Sequence, residues 1–205
     1  MCFVFVLVAG SVGLHRPDAQ VTAASKKTVA LKAYNKFLSK SKIKRGGTLY
    51  KGSSFRFKLK DLDGDKIPEL LATCDDTCAA DGYERIYTYK KGKVKEVLTT
   101  GHGSFTFYPS KRVVCFSGAQ SGDYWTDWYR ISNGKVKLLA KEKGMDKVVD
   151  PDSDDLEVVT NYKYYINKKK VTKAKYTKYV SKIKGKEFKM TYMKNTKQNR
   201  KKYLK

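Results

Sequence analysis

Four carboxylates crowd into nine residues of this chain: Asp61, Asp63, Asp65 and Glu69, in the run Asp61-Leu62-Asp63-Gly64-Asp65-Lys66-Ile67-Pro68-Glu69. They stand at loop positions 1, 3, 5 and 9, and the Ile67 carbonyl falls at position 7. A tight loop with oxygens so placed can wrap one hard cation, and calcium takes about six to eight oxygens at short range. Acids this close repel one another unless a cation or basic neighbours compensate. The same run also reads as a turn. Asp-Gly between apolar segments (Phe55, Phe57 and Leu59 before; Leu70, Leu71 and Ala72 after) is a hairpin signal, with Asp side chains capping turn amides. Lys66 occupies the sixth position, where the sharp turn favours glycine. Ala72 at the twelfth position rules out an EF-hand with its terminal bidentate Glu.

The segment 61–70 resembles the D-x-D-G-D-G-x-x-E-L loop of secreted proteins of Clostridia-type bacteria. It is similar to the short calcium loops of FG-GAP and VCBS-type β-repeats and, more loosely, of dockerins. The resemblance implies a secreted domain with a structural Ca2+ held by Asp61, Asp63, Asp65, Ile67 and Glu69, and it implies no enzymatic activity.

Other groups could do chemistry. Asp123 and Asp127 bracket Tyr124, Trp125 and Trp128. Carboxylates beside aromatics suit a glycan-contacting patch, and paired acids suit glycoside hydrolysis. The alternative function is therefore a carbohydrate-binding module or a calcium-dependent glycan hydrolase. On a strand, 123, 125 and 127 share one face, which also fits surface packing. His102 lies in Gly101-His102-Gly103 with Ser104 beside it, a turn rather than a dyad built across a fold. Cys74 and Cys78 could close a small disulfide loop, or either could reach Cys115. A second acidic run, 150–155, reads as a solvated linker. The chain has no phosphate-binding glycine loop and no H-E-x-x-H.

The apolar run 3–14, followed by small residues at 22–24, reads as a signal peptide over 1–24 and is too short to span a bilayer. That predicts a secreted or cell-wall protein with no transmembrane span once the signal is removed, and the resemblance implies a Gram-positive bacterium as its source. The net charge is +24 over 205 residues. From 162 to 205 there are 17 Lys or Arg and a single acid, Glu187. Such a segment seeks a polyanion, for example teichoic acid or an acidic glycan, without specific nucleic-acid recognition.

The elements that must position these groups are mostly strands. Leu31, Tyr34, Phe37 and Leu38 repeat at helical spacing, predicting a helix over 25–42. Short alternating runs follow, joined by Lys91-Gly92, Pro109-Ser110-Lys111 and Asn133-Gly134. A repeat at an offset of 42 residues aligns Tyr87, Gly92 and Val94 with Tyr129, Gly134 and Val136. Thr172 caps a second helix carrying Tyr176, Tyr179, Val180 and Ile183. The expected fold is mainly β with one N-terminal and one C-terminal helix: an antiparallel meander of consecutive hairpins, propeller-blade-like in its repeat. The β-rich domain spans 25–185, and 186–205 form a basic tail.

Overall fold

The computed structural model of the chain describes residues 23–45, 47–77, 84–148 and 158–205. Most of the expected signal peptide, Cys78 and the acidic run 150–155 lie outside them. The chain opens with helix α1 (Ala23–Leu38) and a small hairpin of β1 (Lys42–Arg45) and β2 (Thr48–Lys51). The first large sheet comprises β3 (Phe55–Lys60), β4 (Glu69–Cys74), β5 (Glu84–Lys90) and β6 (Lys93–Thr99). The second comprises β7 (Gly103–Tyr108), β8 (Val113–Gln120), β9 (Asp123–Ser132), β10 (Lys135–Val148), β11 (Val158–Ile166) and β12 (Lys169–Val171). Helix α2 (Lys173–Ile183), strand β13 (Met193–Lys194) and helix α3 (Lys197–Tyr203) complete it.

Each large sheet is an antiparallel meander in chain order, β3-β4-β5-β6 and β7 through β12; β13 adds to the free edge of β3. The fold is thus mainly β, built of consecutive hairpins with a helix towards each end, as the sequence predicts. Turn chemistry sets it. Lys91-Gly92, Ser121-Gly122, Asn133-Gly134 and Asn167-Lys168 all have positive φ at both central positions. Paired positive φ marks the two-residue turns that match strand twist. The two copies of the repeat run through two of these turns, Lys91-Gly92 and Asn133-Gly134.

Three apolar layers follow from strand alternation. Phe55, Phe57, Leu70, Ala72 and Tyr87 face α1, meeting Ala30, Leu31, Tyr34 and Leu38. The opposite face sends Leu71 and Ile86 against Phe105, Phe107, Val114 and Ile131 of the second sheet. The far face of the second sheet, with Tyr108, Cys115 and Trp128, is covered by Tyr176 and Ile183 of α2. The layers therefore run helix, sheet, sheet, helix. Burying each large apolar side chain contributes about 1.5–3 kcal/mol.

Residues 186–205 do not project as the expected tail. Phe188 bridges to Phe107, Met193 and Lys194 pair with Phe57 and Arg56, and Leu204 is buried in the core beneath α1. Their apolar residues are sparse, but Phe188, Met190, Tyr192, Met193 and Leu204 all land on a sheet edge or a core. The β1–β2 hairpin is likewise absent from the sequence expectation: its Lys-rich strands carry almost no apolar alternation.

Candidate metal centre

The acidic run connects β3 to β4, whose register pairs Lys60 with Glu69. The loop must turn sharply to return. Gly64 does so at φ +79° and Lys66 at φ +70°. A side chain in that region costs about 1–2 kcal/mol. Lys66 thus carries a strain that the glycine of the resembled loops avoids.

Backbone amides organise the carboxylates. Gly64 and Lys66 donate to the two oxygens of Asp61, at 2.7 and 3.0 Å. Asp65 donates its N–H to Asp63 Oδ1 at 3.2 Å, and Ile67 donates to Asp65 Oδ1 at 2.7 Å. One carboxylate oxygen each from Asp61, Asp63 and Asp65 gather within 4.8 Å of one another. Oxygens sharing one calcium at about 2.3–2.6 Å lie no more than about 5 Å apart. The trio therefore fits a hard cation in both donor type and spacing. These three Asp can hold a metal ion.

Glu69 does something different. It is buried, accepts the Leu62 N–H on Oε2 at 2.9 Å, and faces the Thr88 hydroxyl at 3.5 Å. It closes the neck of the loop and does not join the trio. Ile67 is half-buried against the core beneath α1. Burial, then the charges of Asp63, Asp65 and Asp61, push the Glu69 carboxyl up to about 8, against the Leu62 amide. Burial and the Asp63 and Asp61 charges also raise Asp65, opposed by the Ile67 amide.

The second sheet reaches this loop. Asn133, at the tip of the β9–β10 hairpin, donates its N–H to Asp63 Oδ2 at 2.7 Å. Its carbonyl accepts from the Lys90 ammonium. A Cβ on Gly134 would stand 2.9 Å from Thr88 Cγ2, so glycine permits this docking. The Arg112 guanidinium lies over Gly64, where a Cβ would meet its Nε at 2.7 Å. Nothing in the sequence marks Asn133, Thr88 or Arg112 as site residues. Asn133 and Gly134 read as a turn, and nothing local in the sequence links that turn to a loop 70 residues earlier.

Among the described residues no basic side chain forms an ion pair with Asp61, Asp63, Asp65 or Glu69. Among the described residues the ion pairs are Arg56–Asp75, Arg85–Glu96 and Lys141–Asp127. In a chain of 44 Lys and Arg this is informative. Amide N–H groups supply the hydrogen bonds that the three Asp carboxylates accept within the loop.

The aromatic patch does not assemble. Trp128 is buried under α2, donates Nε1 to the Tyr176 hydroxyl at 3.0 Å and stacks on Tyr108. Trp125 lies on the opposite face of β9, packed on Phe116 and Gly118. Tyr124 is exposed and donates to Asp146 at 3.0 Å. Asp127 is buried with Tyr129 and Lys141 as partners, whereas Asp123 ends the hairpin opposite Gln120. Alternation explains this: 124 and 128 share one face, 123, 125 and 127 the other. Cys74 and Cys115 are buried free thiols in different core layers, and Cys78 lies outside the described residues. His102 sits at the start of the β7–β8 hairpin, where its carbonyl accepts from Ala119 at 3.0 Å. No helix among the described residues is long and apolar enough to cross a membrane.

No known protein family, curated protein or solved structure matches the chain.

Proposed function

We propose that this chain is a secreted, non-catalytic β-rich module whose acidic loop takes a structural divalent cation, Ca2+. The observation that carries the reading is the carboxylate trio of Asp61, Asp63 and Asp65, gathered within 4.8 Å and, among the described residues, in no ion pair within a strongly basic protein. All donors are hard oxygens, which suits calcium rather than a softer metal. Asp61, Asp63 and Asp65 would hold the ion, while Glu69, turned to the Leu62 amide, closes the neck of the loop beside it. Bound calcium would offset the mutual repulsion of the loop and rigidify the point where the two sheets meet. External calcium is abundant, so an affinity of about 0.1–1 mM would suffice. The apolar 3–14 run supports export, and the basic C-terminal segment 162–205 supports a polyanionic partner at the cell surface.

The test is a thermal melt in EDTA and then in millimolar calcium. Calcium at ten times its Kd should stabilise the fold by about 1.4 kcal/mol, a rise of about 3–5 °C for a chain of this size. Asp65→Asn keeps an acceptor for the Ile67 amide and should abolish the rise. An equal rise in Asp65→Asn would overturn the assignment of the loop.

A further inference from the structure

Residues 186–205 fold back beside α1, and the two segments form a groove of about 520 Å³. Lys32 of α1 lines one wall; Lys197, Lys201 and Lys205 line the other. These four lysines are exposed. Asn35 and Ser39, one and two helical turns beyond Lys32, add an amide and a hydroxyl. No Asp or Glu side chain lines the groove, and neither α1 nor α3 contains an acid. Among the described residues none of the four lysines has an ion-pair partner.

The wall is fixed rather than frayed. Asn195 is buried and donates Nδ2 to the carbonyls of Leu38 and Gly52, both at 2.8 Å. Its Oδ1 accepts from Arg200 at 2.9 Å, so Arg200 braces the wall from the groove side. Leu204 is 2% exposed and seals α3 to the core. The ammonium groups are therefore carried on an ordered scaffold, with less ordering cost on binding than a free tail would incur.

We infer that the α1–α3 groove binds a linear phosphate polymer without bases. This deepens the polyanion reading above by naming its site. Lys ammoniums act as point charges on phosphate, with no need for a planar fork. The groove has no aromatic lining, whereas single-stranded nucleic acid is held largely by base stacking on aromatics. Its one apolar residue, Leu204, is buried, so the groove has no apolar group to insert into a bilayer.

The experiment is fluorescence anisotropy of the whole protein with labelled long-chain polyphosphate, run in EDTA so that the outcome is independent of the cation site. Four phosphate contacts should give a slope of log K against log salt of about −3. Lys32→Glu/Lys201→Glu should weaken binding at least about 10-fold, since two repulsive charges replace two attractive ones. Lys169→Glu/Lys170→Glu, with the same net charge but exposed on β12, should change it less than about 3-fold. Equal weakening by both pairs would overturn the groove while leaving the polyanion reading intact. No polyphosphate binding at low salt would overturn both. Tighter binding of single-stranded DNA, or of phosphatidylglycerol vesicles, at equal charge would overturn the polymer class.

Discussion

Asp63 accepts the backbone N–H of Asn133 at 2.7 Å and so latches the acidic loop of the first sheet to a hairpin tip of the second. Asp63 is 5% exposed, so this charge-assisted bond is shielded from water. Asp63→Ala leaves the Asn133 amide without its acceptor, at a cost of about 1–3 kcal/mol. The melting temperature in EDTA should fall by several degrees. Asn133→Gly, which keeps the N–H and tolerates φ +50°, should change it little. Equal losses in the two variants would place the stabilisation in the Asn133 side chain instead.

Lys66 holds a left-handed conformation at φ +70°. Lys66→Gly removes that strain, and the gain exceeds the extra chain entropy of glycine, so stability should rise by about 0.5–1 kcal/mol. Urea denaturation measures it. The substitution also removes a positive charge from the loop, so calcium should bind more tightly. A loss of stability would show that the Lys66 side chain has a role beyond the backbone turn.

Tyr176 on α2 accepts the Trp128 Nε1–H at 3.0 Å within the core beneath that helix. Tyr176→Phe strands the indole donor in an apolar layer and should cost about 1–2 kcal/mol. Denaturation followed by Trp fluorescence reports the change at the site itself.

The Cys115 thiol is buried, and burial pushes it up to about 11. A raised thiol pKa keeps the group protonated, so at pH 8 almost no thiolate is present. Native protein should leave Cys115 unmodified by iodoacetamide, and the residue should react only after unfolding. Rapid native labelling, located by mass spectrometry, would contradict the burial of β8.

The consecutive hairpins were legible because each carries its own turn chemistry: Lys91-Gly92 and Asn133-Gly134 announce positive φ without tertiary context, whereas the division into two sheets and the place of β13 beside β3 were not. The carboxylate trio was legible for the same reason, since Asp61, Asp63 and Asp65 gather through bonds to amides within the loop. Contacts between distant segments were not. The latch between Asp63 and Asn133 uses a backbone amide that any residue would supply, so no residue type marks it. Residues 186–205 read as a tail because Leu204 and Asn195 stand among lysines, with no periodic stripe to reveal their burial. The patch of Tyr124, Trp125 and Trp128 misled because composition groups what strand alternation separates.

The most direct test of the central claim is a calorimetric titration of calcium into the EDTA-treated, dialysed protein, with magnesium as comparison. A single site with a Kd of about 0.1–1 mM, lost in Asp61→Asn/Asp65→Asn, is the predicted result. A titration with no binding heat and no accompanying rise in melting temperature would contradict it, leaving the acidic loop as a turn held by its own amides.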